Sequence, residues 1–233
     1  MMKLIHAGDS CIILKLSDEL SPTINDIVLE ISTAMNESRP RGIVEISPAY
    51  SSIGVYYDPV AIEPQEVEEW INVSQTRKRP AASIVRDLYR IPVLYSNAHG
   101  PDLQEVAKET NLTPEEVVKL HTTARYRVYM LGFMPGFLYL GEVPTPIRVP
   151  RLKKPRARVP AGSVGLAKEQ TGIYGIESPG GWKIIGRTPI RLLDTAKSPP
   201  TPFKTGDLVE FISISSEDFG RLNGTSVEQT KTG

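Results

Sequence analysis

Apolar residues follow two different rhythms along the chain. As far as Ala124 they recur at helical spacing between short apolar runs. Beyond Tyr126 they gather in short runs bounded by Pro and Gly. Cys11 to Leu16 (CIILKL) predicts a strand. Ser21-Pro22 opens a helix, with Ser at the cap position and Pro first inside, and Ile24, Ile27, Val28, Ile31 and Met35 share one face of it. Gly42 to Ser47 (GIVEIS) and Ser52 to Tyr57 (SIGVYY) predict two strands turning at Pro48. Pro64 begins a second helix, with Val67, Trp70, Ile71 and Ser74 on one side. A last strand comes from Ile84–Val85 or from Ile91–Leu94. The order β-α-β-β-α-β is the split β-α-β plan of a ferredoxin-like sandwich, an α+β domain.

Two short helices follow. Asp102 to Thr110 brings Leu103, Val106 and Ala107 together, and Thr113-Pro114-Glu115-Glu116 is a capping box that launches Val117 to Ala124. The remainder reads as all-β: YRVYML, SVGLA, TGIYGI, WKIIG, IRLLD and DLVEFISI, spaced as in a small barrel or sandwich. The expected division is a first domain over 1–90 and, over 91–233, the linking helices with an all-β domain. The polar end, GTSVEQTKTG, is expected to fray.

Composition sharpens the contrast: 11 of the 20 prolines lie between Pro135 and Pro202, and 10 of the 18 glycines between Gly132 and Gly186. Lys plus Arg and Asp plus Glu number 27 each, so bulk charge holds the chain to neither nucleic acid nor anionic lipid. The uncharged stretch Val128 to Gly141 is too short for a bilayer span and is broken by Pro135. MMKLIHAGDS lacks the apolar core of a secretory signal, so a cytoplasmic location is expected. The lone Cys11 excludes an internal disulfide and a cysteine-rich zinc site. His6, His99 and His121 lack metal-ligand spacing, so no metal is expected. There is no phosphate-binding glycine loop, dinucleotide fingerprint or nucleophile elbow.

Three segments carry candidate chemistry. In Gly132 to Leu140 (GFMPGFLYL), Pro135 and two glycines bend a chain that keeps Phe133, Phe137 and Tyr139 together, beside a cavity or in a core. From Val143 to Lys168 there are seven basic residues and no acidic one, with Arg151, Arg156 and Arg158 as a patch for an anion or an acidic partner, or as a solvated loop. The third runs from Gln170, Thr171 and Tyr174 through Ser178, Gly180 and Gly181 to Arg187. Its donors and acceptors suit an amide or carboxylate, and Arg187 is its strong anion fork. Taken alone, these residues support a binding module.

The runs YRVYMLGFMPGFLYLG, RVPAGSVGLA and QTGIYGIESPGGWKIIGRTP, with GDS at Gly8, EISPAYSSIGVYYDP from Glu45, GPDLQEVA from Gly100 and LTPEEVVKLH from Leu112, resemble the family of the 5-oxoprolinase B component (PxpB). That family includes the kinase inhibitor KipI and was formerly labelled allophanate hydrolase subunit 1. One departure is Gly175, where the family commonly has proline. The resemblance implies a ferredoxin-like first domain, a cyclophilin-like β-barrel second domain, and partnership with the A and C components of an ATP-dependent hydrolase that opens 5-oxoproline to glutamate. It leaves two alternatives open, an inhibitor of a sensor histidine kinase and a member of a urea or allophanate amidolyase system. On the hydrolase reading the chain is a non-autonomous component and ATP is anchored elsewhere in the complex. Phe133, Pro135, Phe137, Tyr139, Gln170, Thr171, Tyr174, Ser178, Gly180, Gly181 and Arg187 would then position the substrate, with the catalytic residues unassigned.

Overall fold

The apolar run CIILKL and the alternating strand SIGVYY need a covered face, and the two amphipathic helices supply it. The computed structural model describes residues 2–19, 21–76 and 86–231. Contacts divide the chain into two compact units, Met1–Val85 and Arg86–Gly233. In the first, β1 (Lys3–His6), β2 (Cys11–Lys15), β3 (Ile43–Ala49) and β4 (Ser52–Tyr57) form an antiparallel sheet in the order β1-β2-β4-β3, with α1 (Pro22–Glu37) and α2 (Pro64–Thr76). Ile12, Leu14, Ile53 and Val55 of the strands pack with Val28, Ile31 and Met35 of α1 and with Val67 and Ile71 of α2. Ser21 holds the cap position of α1 without a side-chain cap bond; its backbone carbonyl accepts from Asn25 N–H at 2.9 Å.

Two expectations are corrected here. The described residues give β-β-α-β-β-α instead of β-α-β-β-α-β: the edge beside β2 is held by β1, which folds back through the short loop at Gly8. A partner a few residues away closes at little entropic cost. Ile91–Leu94 lies instead largely in β5 (Leu88–Val93), which pairs with a strand of the second unit. Ile84–Val85 lies outside the described residues.

The second unit contains α3 (Leu103–Thr110), α4 (Pro114–Thr123), β6 (Arg125–Leu131), β7 (Leu138–Gly141), β8 (Arg156–Val159), β9 (Ser163–Ala167), β10 (Gln170–Ile173), β11 (Ser178–Gly180), β12 (Lys183–Arg187), β13 (Leu208–Ser213) and α5 (Ser216–Leu222). Seven strands in the order β12-β9-β10-β7-β6-β13-β5 form a curled half-barrel, antiparallel except for β13 with β5, so the chain is a mixed α/β fold with few helices. β8 and β11 make a separate two-stranded ribbon. IRLLD is not a strand. Its Ile190 and Leu192 are buried, but its backbone makes a single isolated bridge, from Arg191 to Ser226. The capping box at Thr113 is present in full: Thr113 Oγ1 accepts from Glu116 N–H and the Glu116 carboxylate accepts from Thr113 N–H. Among the described residues, no helix is long and apolar enough to cross a membrane, and no group of three His, Cys, Asp or Glu side chains could hold a metal ion.

One core face of the half-barrel carries Val128, Leu138, Leu140, Val164, Leu166, Ile173 and Phe211, covered by Val106 and Val117 of α3 and α4. Inside this core sits His121, stacked on Phe211 at 4.5 Å between ring centroids. Thr171 Oγ1 donates to Gly165 O at 3.0 Å, so it accepts from His121 Nε2–H at 2.9 Å, and His121 Nδ1 accepts from Tyr95 O–H at 2.8 Å. Every polar atom of the imidazole is satisfied in its neutral form. Burial pushes the His121 pKa down to about 3 and the Tyr95 phenol well up.

The unfolded chain protonates this imidazole near pH ~6.5 and the folded chain does not. Stability contributed by His121 is therefore complete above that pH and declines as pH falls, with a slope approaching ~1.4 kcal/mol per unit. The urea midpoint is expected to be level from pH 8 to 7 and to drop between 6.5 and 5. A midpoint level through the lower window would mean that the ring takes its proton within the fold.

Candidate functional site

The two-residue repeat of a strand sends neighbouring side chains to opposite faces. In β7, Leu138 and Leu140 enter the main core, while Tyr139 packs on the other face with Phe137. In β12, Ile185 goes to the main core and Ile184 to the other side. That second face carries an aromatic cluster. Phe137 meets Tyr139, Tyr174 and Trp182 edge-on at centroid distances of 4.6, 4.9 and 5.5 Å, and Tyr139 meets Trp182 at 5.7 Å. Phe133 lies edge-on to Phe137 at 5.8 Å.

Above this cluster opens a groove of about 170 Å³, lined by Phe133, Tyr139, Tyr174 and Trp182, by Arg151, Leu152 and Pro155, and by the backbone of Gly180 and Gly181. The Arg151 guanidinium stands 5.8 Å from the Trp182 ring centroid. Among the described residues, no carboxylate lines the groove. Phe133 is held at φ +69° and is 64% exposed, an apolar side chain kept in the left-handed region at the groove mouth. Burial raises the Tyr174 phenol, offset in part by a hydrogen bond from the Trp182 backbone, and raises the Tyr139 phenol, offset by Arg151. Both are neutral hydroxyls near pH 7, suited to hydrogen bonding and not to proton abstraction. Gly180 is required by close approach, since a Cβ there would lie 2.3 Å from the Tyr174 hydroxyl.

The groove thus gathers Phe133, Tyr139, Tyr174, Gly180 and Gly181, with Phe137 beneath it, from the expected site. Pro135 lies in the bend between Phe133 and Phe137. The other residues go elsewhere. Thr171 is fully buried against His121 in the main core. Gln170, one residue earlier, is half-buried and pairs in register with Gly141 and Ala167. The Ser178 hydroxyl is buried and donates to the Pro179 carbonyl. Arg187 lines a different hollow, with its Nε donating to Ala161 O at 2.8 Å.

The basic patch also divides. Arg156 forms a two-pronged pair with Asp102 at 2.8 and 2.6 Å, and the same carboxylate accepts from Ile184 N–H at 2.6 Å. Asp102 stands at the cap position of α3 without capping it. Arg158 pairs with Glu177 at the surface at 2.8 Å. Of the three arginines, Arg151 alone lines the groove. Trp182 was not among the expected site residues, although it had a usable signal, an indole directly after Gly180-Gly181.

The family described as carboxyltransferase domain, subdomain C and D, matches residues 2–203. The B component of 5-oxoprolinase from Bacillus subtilis (strain 168) is 40% identical over 222 residues, covering 91% of this chain and 92% of that protein. The chain belongs to the family of 5-oxoprolinase B components. Among solved structures, TTHA0988 aligns at 33% identity with a TM-score of 0.77 over 93% of this chain, which spans 41% of that one. The urea amidolyase of K. lactis, at 18% identity, shares the fold with a TM-score of 0.78, over 98% of this chain and 15% of its own length.

For this member of the 5-oxoprolinase family, two substitutions separate framework from groove. Thr171→Val strands the His121 N–H and is expected to cost about 2 kcal/mol of stability by urea denaturation, with groove binding unaffected. Asp102→Ala leaves Arg156 and the Ile184 amide without their partner and is expected to cost about 3 kcal/mol in the same measurement. Losses below about 0.5 kcal/mol would show that these contacts contribute little.

Proposed function

We propose that this chain acts as the B component of an ATP-using 5-oxoprolinase and that its aromatic groove receives the five-membered lactam. Relatives bearing that name at 40% and 39% identity support the assignment to the complex. The observation that carries the groove is its chemistry: aromatic rings for a flat ring, two neutral phenols for an amide, and one guanidinium, Arg151, for a carboxylate. The curled seven-stranded sheet fits the cyclophilin-like barrel implied by the resemblance, and the two units are read as its two domains.

An unactivated lactam resists hydrolysis because the amide is resonance-stabilised and its nitrogen leaves poorly. Transfer of a phosphoryl group from ATP to the lactam oxygen leaves ADP and gives an electrophilic carbon. Water attacks that carbon, and the C–N bond breaks as the nitrogen takes up a proton. Hydrolysis of the resulting acyl phosphate by a second water releases glutamate and phosphate. On this reading the chain positions the ring and its carboxylate and excludes water from the ring's apolar edge. Phosphoryl transfer is anchored by the partner A and C components, because the sequence carries no phosphate-binding glycine loop. Tyr174 and Tyr139 orient the amide by hydrogen bonding, and Phe133 closes the mouth. The likeness to urea amidolyase extends to the fold alone.

Reconstitution with the A and C components tests the proposal. ATP-dependent glutamate release is expected to require this chain. Arg151→Ala is expected to raise KM for 5-oxoproline about tenfold or more with a smaller change in kcat, as loss of a charge-assisted contact does. Tyr174→Phe is expected to lower kcat/KM about fivefold to tenfold. Unchanged kinetics in both variants would remove the groove from the substrate site.

A further inference from the structure

A second hollow, of about 320 Å³, is separate from the aromatic groove and is lined by Arg187, Arg191, Asn223, Phe219, Gly162 and Gly175 among others. The division between the two follows the chain. Tyr174 turns its ring into the groove, while the next residue, Gly175, lines the hollow. Gly136 of the 132–137 bend packs on Gly175 so closely that a Cβ at 175 would lie 2.5 Å from its carbonyl.

Two arginines, Arg187 and Arg191, line the hollow, and among the described residues no carboxylate does. Arg187 is held at both ends: its backbone exchanges hydrogen bonds with Leu94 at 3.1 and 2.9 Å, and its Nε donates to Ala161 O at 2.8 Å. That bond leaves the two terminal nitrogens, and among the described residues no ion pair or further hydrogen bond occupies them. Arg191 is exposed, with its backbone fixed by donation to Thr225 O at 2.9 Å, and among the described residues its side chain has no ion pair. It also borders an adjoining hollow that contains Asp194 and Lys197. Two like charges left together are mutually unfavourable unless an anion neutralises them, and a guanidinium already held in place loses little freedom in binding one. Asn223 adds an amide at the rim.

We propose that this hollow is a binding site for a phosphate group, formed by Arg187 and Arg191 and distinct from the aromatic groove. A single carboxylate can also take two arginines, as Glu210 does with Arg90 and Arg125, but a phosphate offers more acceptor oxygens and up to twice the charge to the pair. The site stands independently of what the groove binds, so its failure and the failure of the lactam reading are separate results.

The test is calorimetric titration of the full chain with inorganic phosphate, and with acetate at matched ionic strength. Saturable one-to-one phosphate binding is expected, weakened about tenfold or more in Arg191→Ala and in Arg187→Lys, which keeps the charge and loses the fork. Arg41→Ala, which removes an exposed charge from the first unit, is expected to bind as the parent does. Thermal unfolding of each variant confirms that it folds, and Arg191 is exposed enough for its truncation to be tolerated. Absence of saturable phosphate binding, binding that survives both substitutions, or acetate binding as tightly as phosphate would each overturn the proposal.

Discussion

The pleat of the seven-stranded sheet governs what the second unit can do. Each strand has two faces, and in β7, β9, β10 and β12 both are buried for much of their length: one against the main core under α3 and α4, the other against the aromatic cluster at Phe137 and Trp182. A residue's role is therefore decided by its parity along the strand. Leu138 and Tyr139 are chain neighbours, yet one is core and the other lines a groove. A shift of register by one residue would exchange the two faces. The His121–Thr171–Gly165 chain of hydrogen bonds ties α4, β10 and β9 together in one arrangement, and so helps to hold that parity.

Charge follows a similar logic. A run of basic residues with no acidic neighbour in sequence looks like an anion patch, but folding supplies acids from distant positions. Asp102 reaches Arg156, Glu177 reaches Arg158, and Glu105 and Glu109 of α3 reach the buried Lys183. Where a cation is drawn out of water, a partner comes with it. Arg151, Arg187 and Arg191 line hollows that hold no carboxylate among the described residues, at the groove for the first and the second hollow for the other two. Two of these, Arg187 and Arg191, share one hollow although they come from the end of β12 and from an irregular segment.

Gly175, in close contact with Gly136, lines the arginine hollow, and its chain neighbour Tyr174 lines the aromatic groove. The bend at 132–137 seats Phe137 in the aromatic cluster and leaves Phe133 exposed at the rim of the groove. A lactam in the groove and a phosphate in the hollow would be held by separate sets of side chains.

Much of the architecture was legible along the chain. Helical spacing located α1, α2 and α4, the Thr113 capping box marked a helix start to the residue, and apolar runs located β2, β9, β12 and β13. These are local properties, set by propensity and periodicity within a few residues. The family motifs also named the segment that builds the aromatic groove. What the sequence left undecided was non-local. β1, which the pattern did not predict, took the sheet edge beside β2, β5 joined β13 across more than a hundred residues, and Thr171 turned into the core while Tyr174 lined the groove. The same holds for Arg156, whose charge is matched by Asp102, and for Arg191, which no motif singled out. Sheet order, side-chain parity and ion pairing depend on which distant segments meet, and only the folded chain fixes those meetings.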